Sequence, residues 1–215
     1  MCFNLILMRG IYFLAILCLL IRSQIASATE GMLSYVSSDG GYTFGTSGWT
    51  FQPLTPISVT SLGVFDYILN PSAQNQSPMS VGLWDNSGSL LASNSVSASS
   101  TLLNQSRYEP ITPVTLTPGL TYHLGAYYPT AGLTVLLAAV PGNGGSVTMA
   151  AGIQIGAAVF DASGFAYPNT TAAGPGSALL VPNLQFTPVP EPAVGRLLIV
   201  CGLVLAWRKG ADSRG

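Results

Sequence analysis

Alternation with a period of two constrains this chain more than any other feature. In Thr121-Tyr122-His123-Leu124-Gly125-Ala126-Tyr127-Tyr128, the residues Tyr122, Leu124, Ala126 and Tyr128 share one face of an extended strand, and Thr121, His123 and Tyr127 share the other. That pattern predicts a strand buried on one side. Upstream, Val114 and Leu116 alternate with Thr115 and Thr117, and Pro118-Gly119 supplies a turn, so residues 113–128 are expected to form a hairpin. Short runs of the same kind occur at Ile57 to Asp66, Met79 to Trp84, Ser89 to Val96, Leu133 to Val140 and Val147 to Ile155, each bounded by Gly, Pro, Asn or Ser. No helical periodicity is sustained over three turns between them. The expectation is an all-β fold, an antiparallel β-sandwich of jelly-roll or immunoglobulin-like type.

Two segments within this region resemble each other: Leu62-Gly63-Val64-Phe65-Asp66 and Val81-Gly82-Leu83-Trp84-Asp85. Two copies are too few for a stacked-repeat architecture. They are expected to be two strands of one sheet, with Gly63 and Gly82 permitting close packing or a bulge and each Asp opening a turn. Asp85-Asn86-Ser87-Gly88 has the composition of such a turn.

The β-like region is flanked by segments of different character. Arg9 precedes the apolar run Ile11 to Ile21, and Ala26-Ser27-Ala28 supplies the small residues a signal peptidase needs, with cleavage expected after Ala28. Cysteine usage fits the same division: Cys2 and Cys18 fall in the expected leader and Cys201 in the tail, so residues 29–188 hold none. Export to an oxidising space permits disulfides without requiring them, and a segment of this length can build its own core. Between residues 29 and 188, Arg107 is the one basic residue, against Glu30, Asp39, Asp66, Asp85, Glu109 and Asp161. Nucleic-acid binding needs clustered Lys and Arg, so that class of partner is not expected.

At the other end, Val189-Pro190-Glu191-Pro192 is followed by an apolar or Gly run from Leu197 to Trp207 and then by Arg208-Lys209. The prolines exclude a regular element and hold Glu191 in an extended turn that a processing enzyme can grip. The basic pair is placed as a membrane stop with its cationic end in the cytoplasm. Arg196 interrupts the apolar zone, with a stem long enough to snorkel. This order resembles the PEP-CTERM sorting signal of Gram-negative bacteria. The resemblance implies handling by an exosortase, a membrane-embedded cysteine peptidase, and a place among the exported proteins of strains that make exopolysaccharide. Residues 40–155 also look like an uncharacterised ectodomain found ahead of such tails, which implies a β-sandwich and offers no catalytic residue. The expected organisation is a signal peptide at 1–28, forming a signal helix, and a β-sandwich ectodomain at 29–167. A last strand or linker follows at 168–188, then a sorting signal with a short transmembrane helix at 189–215.

Candidate chemistry is sparse. His123 is the chain's single histidine, which removes any multi-histidine metal site, and on the outer face of a strand it reads as a surface residue. Asp66 and Asp85 could come close together if their strands are neighbours, and with Asn86 they are the candidates for a calcium site, although no Asp-x-Asp-x-Asp loop is present. No other cofactor is expected. Trp49, Tyr127, Tyr128 and Tyr167 could stack on sugar rings if exposed, whereas Trp84 and Phe65 are expected to fill the sandwich core. The triplets at Asn75, Asn104 and Asn169 read as Asn-rich loops. No enzymatic constellation emerges. The expected function is that of an exported protein, tethered to the inner membrane as a precursor and then released to the cell surface or extracellular matrix. Its role there would be structural or adhesive, with exopolysaccharide as a possible partner. A carbohydrate-binding module is the alternative.

Overall fold

The computed structural model describes residues 27–42, 45–66, 78–128, 134–138, 146–175, 178–179 and 182–190. These residues form strands β1 (Thr29–Glu30), β2 (Met32–Tyr42), β3 (Gly45–Pro53), β4 (Ile57–Phe65), β5 (Met79–Asp85), β6 (Leu90–Val96), β7 (Thr101–Leu103) and β8 (Ser106–Leu116). They continue as β9 (Tyr122–Tyr128), β10 (Thr134–Ala138), β11 (Ser146–Met149), β12 (Ile153–Asp161), β13 (Thr170–Pro175), β14 (Ala178–Leu179) and β15 (Pro182–Pro188). The strands make a five-stranded sheet in the order β1-β15-β4-β8-β7 and a six-stranded sheet in the order β13-β12-β3-β9-β5-β6. A four-stranded sheet in the order β11-β2-β10-β14 completes the set. Every pairing among the described residues is antiparallel, as the alternation predicts. The signal helix, the transmembrane helix and the basic tail expected from the sequence lie outside the described residues.

The five- and six-stranded sheets face each other across one core. The five-stranded sheet contributes Ile57, Val59, Leu62, Val64, Leu116, Leu184 and Phe186, and the six-stranded sheet contributes Trp49, Phe51, Val81, Leu83, Tyr122, Leu124 and Ala126. Rings cluster at its centre, with Phe51 5.3 Å from Trp49 and 5.9 Å from Tyr122. Burial of such side chains is the main favourable term available to a domain that holds no disulfide.

Several expectations need correction. Residues 113–128 are not a hairpin, because β8 pairs with β4 in one sheet and β9 pairs with β3 and β5 in the other. The Pro118-Gly119 turn carries the chain between layers. Gly119 takes a φ of +75° and its N–H donates to Pro53 O at 2.8 Å, a conformation that favours Gly. The two similar segments lie in opposite sheets, one on β4 and the other on β5. Their glycines nevertheless do what close packing requires. A Cβ at Gly63 would lie 2.4 Å from the Tyr108 ring, and a Cβ at Gly82 would lie 2.3 Å from the Trp84 ring. The run at 147–155 is two strands, β11 and β12, split at a turn containing Gly152, with φ +98°. The long β2 and the central β3 were not expected, since their Ser, Thr and Gly residues carry little hydrophobic signal.

Finally, β15 occupies the second position of the five-stranded sheet, between β1 and β4, with Phe186 opposite both Thr29 and Val59. Replacing Phe186 with Ala should therefore lower stability by about 3–5 kcal/mol, as a ring deleted from a packed core does. Urea unfolding followed by tryptophan emission measures this. A change within about 0.5 kcal/mol, typical of surface positions, would show that β15 does not close the core.

Candidate functional site

The six-stranded sheet is buried on its outer face as well, and this concentrates the unusual chemistry there. β12 leaves the sheet at Asp161, whose Oδ1 accepts from Ser163 N at 2.7 Å and from the Ser163 hydroxyl, an Asx-type turn. The chain then crosses the sheet as a strap over residues 162–168. Thr46, fully buried on β3, pins the strap twice: its hydroxyl donates to Gly164 O at 2.6 Å and accepts from Ala166 N at 3.0 Å. Phe165 lies over Trp84 with ring centroids 5.4 Å apart, and Tyr167 lies over His123 at 4.6 Å.

His123 is thus not a surface residue, although it does lie on the outer face; it is 6% exposed beneath the strap. The strand that carries it is buried on both sides rather than one. Its Nδ1 lies 2.8 Å from Pro168 O, and since a carbonyl only accepts, Nδ1 holds the hydrogen. In the neutral ring Nε2 is then an acceptor, 3.0 Å from the Tyr167 hydroxyl, whose single proton is shared between Nε2 and Asn86 O at 3.1 Å. Asn86 Oδ1 stands 3.3 Å from Nε2, positioned to receive a hydrogen if the ring gains one. Burial holds the His123 pKa below its usual 6.5, with the Pro168 carbonyl and the Asp85 charge opposing that shift. Burial also raises the Tyr167 pKa, and Asp85 adds to the rise. The arrangement clamps the strap to the sheet through a neutral imidazole.

A second polar cluster lies on the outer face of the five-stranded sheet. Glu30, 4% exposed, accepts from the Tyr108 hydroxyl at 2.5 Å and from Asn104 Nδ2. Burial, reinforced by the neighbouring Glu30, pushes the Tyr108 phenol far above its usual range and keeps it a donor. Asn183 beside it holds the start of β2 through both ends of its amide: Oδ1 accepts from Met32 N at 3.0 Å, and Nδ2 donates to Met32 O at 3.1 Å and to Ser106 Oγ at 3.3 Å. Glu30, Tyr108 and Asn183 escaped attention as site candidates in the sequence. A single acid in a two-residue strand carries no periodicity, and the hydrogen-bond partners within the cluster lie 74–151 positions apart.

The residues singled out in the sequence are placed differently. Trp49 is fully buried and its Nε1 donates to Pro182 O at 2.9 Å, so it contributes no exposed stacking surface. Trp84 is buried as expected, but under the strap rather than between the sheets. Phe65 is half-buried beside Glu30 and stands outside the central cluster. Tyr127 is half-buried on the outer face opposite Thr46, and Tyr128 closes β9 opposite Gly45, its side chain lying outside the described part. Asp66 is paired with Arg107, and Asp85 accepts from Ser87 N at 2.9 Å, Ser89 N at 3.0 Å and Ser87 Oγ at 2.6 Å. The Ser87 hydroxyl foremost, then the Ser89 N–H, lowers the Asp85 pKa. The two aspartates sit on different sheets and at opposite ends of the body, so the structure does not bring the candidate calcium ligands together. Among the described residues no group of three or more His, Cys, Asp or Glu is arranged to hold a metal ion.

Of the sorting motif, Val189 and Pro190 are described: Val189 N donates to Pro56 O at 2.9 Å and Pro190 is exposed. At the leader junction Ala28 is exposed. Ala26, Glu191, Pro192, Arg208 and Lys209 lie outside the described residues. No protein-family model matches the chain, and no curated protein matches it.

Two measurements test the clusters. Because His123 is the chain's single histidine, one imidazole Hε1 resonance should titrate below pH 6.5. A depressed folded-state pKa means the unfolded chain binds the proton more readily, so stability is complete above about pH 6.5 and falls as the pH drops through that value toward the folded pKa. His123→Gln should flatten this dependence; an unshifted resonance would show the ring to be solvated. Separately, Tyr108→Phe leaves buried Glu30 with one fewer donor and should cost about 1–3 kcal/mol in urea unfolding at pH 7.

Proposed function

We propose that this chain is an exported surface or extracellular-matrix protein, structural or adhesive within an exopolysaccharide-associated biofilm, and sorted through Val189-Pro190-Glu191-Pro192. Signal peptidase and an exosortase are its processing partners, and the precursor is tethered to the inner membrane before release. The sandwich, of jelly-roll or immunoglobulin-like kind, is its scaffold, and it performs no chemistry of its own.

The observation that carries this reading is the position of the motif relative to the sheet. β15 ends at Pro188, Val189 makes the last main-chain bond to the body among the described residues, and Pro190 is exposed. A peptidase needs access to its substrate, and the motif begins at the residue after the last strand, with its second residue exposed. A structural or adhesive role is favoured over a carbohydrate-binding module because Trp49, Trp84, Tyr108 and Tyr122 are all consumed by packing. The exposed positions of β6 and β8 are instead occupied by residues such as Ser93, Ser95, Thr112 and Thr115.

Glu191→Ala should accumulate the full-length precursor in the inner-membrane fraction and remove the protein from the surface and medium. Immunoblotting of fractionated cells follows both pools. Normal release of the Glu191→Ala protein would overturn the sorting assignment.

A further inference from the structure

The chain joins and leaves the described body at one end. Thr29 is opposite Phe186, β15 runs on to Pro188 opposite Ile57, and Ile57 in turn faces Leu116. Since β1 and β15 are antiparallel, the residues before Thr29 and those after Pro188 both extend past the same edge of the five-stranded sheet. Three loops meet at that end and are tied by main-chain hydrogen bonds. Gly119 N donates to Pro53 O and Leu54 N to Gly152 O, both at 2.8 Å, and Val189 N donates to Pro56 O at 2.9 Å.

These loops display Leu54 at 58% and Leu120 at 54% exposure, the two most exposed large apolar side chains among the described residues. Turn positions ordinarily take polar residues. Here leucines occupy them on loops whose backbones are fixed, with Pro118 and Pro190 also exposed nearby. The charged groups of the described residues lie elsewhere or turn away. Asp66, Arg107 and Asp161 fall at the opposite end, where β4 finishes opposite Ser106 and β12 finishes opposite Thr46. Asp85, the acid closest to the leucine end by register, turns its carboxylate into its own loop.

From this geometry we infer that the loop end carrying Leu54 and Leu120 is a membrane-contact face, resting in the interfacial layer of a phospholipid bilayer while the precursor is tethered. The inference rests on the proposed reading of residues 197–207 as a membrane segment. The occupant follows from the length of the connecting chain. About eight residues separate Val189 from Leu197, and even fully extended they reach under about 30 Å. The short tether leaving that end holds it toward the lipid, where apolar side chains gain by leaving water and the described side chains of the loops carry little charge to desolvate.

The test uses the signal-processed precursor, residues 29–215, with Cys201→Ser and a single cysteine introduced either by Thr55→Cys, beside Leu54, or by Ala162→Cys, at the opposite end. Each is labelled with a nitrobenzoxadiazole dye and reconstituted into phosphatidylethanolamine–phosphatidylglycerol vesicles. The label at residue 55 should shift its emission to the blue and lose intensity to nitroxide-bearing lipids, while the label at residue 162 should respond to aqueous iodide alone. Adding Leu54→Asn and Leu120→Asn should abolish the lipid quenching at residue 55. Vesicle-bound protein whose residue-55 label is quenched by iodide and not by lipid would overturn the contact and leave the tethering intact. A label at residue 55 protected from both quenchers would also overturn it, showing that a second copy of the chain covers the leucines. Failure of the chain to float with vesicles would overturn the membrane reading itself and the inference with it.

Discussion

The bond between the Trp49 indole and Pro182 O is the contact on which the two-layer body depends. Trp49 belongs to the six-stranded sheet and Pro182 begins β15 of the five-stranded sheet, so one hydrogen bond joins the layers across 133 residues of sequence. The indole is fully buried, and its N–H would be costly to leave without a partner. The same ring packs on Phe51, which packs on Tyr122, so the apolar contact continues from β3 to β9. Without β15 in place, the indole would lose its acceptor and the five-stranded sheet would lose the strand that separates β1 from β4.

Both sheets also carry a second layer on their outer faces, and glycine makes that possible. Gly63 and Gly82 leave room for the rings of Tyr108 and Trp84, and Gly125 leaves room for Thr46 and Pro168. On one side the space is closed by the 162–168 strap and the neutral imidazole of His123. On the other it is closed by the start of β2, held by Asn183 above the Glu30–Tyr108 pair. The polar groups in these layers find their partners within the protein, which rigidifies the body and leaves its exposed strands to Ser and Thr.

That economy shapes the functional argument. Trp49 is committed to the core and Tyr167 to the strap, and the aspartates that might have met a cation are committed to Arg107 and to a turn. Among the features of the described residues that face outward are the Ser- and Thr-bearing strands, the exposed leucines at the loop end, and Pro190.

The sequence by itself determined the all-β character, the antiparallel pairing and strands such as β4, β5 and β6, because alternation and turn residues act over a few positions and need no distant partner. It also determined that the region holds one base and no cysteine. Tertiary structure decided which strands are neighbours. Pro118-Gly119 is a turn in either case, yet whether it closes a hairpin or changes layers depends on β3 and β4, which are remote in sequence. β3 was illegible because Gly45-Thr46-Ser47-Gly48 looks like a loop until the strap and β9 bury it. His123 was legible as an outer-face residue but not as a buried one, since what covers it is a segment 40 and more residues away. Burial is a property of the whole packed chain, and local pattern reports it only where one face is left open to water.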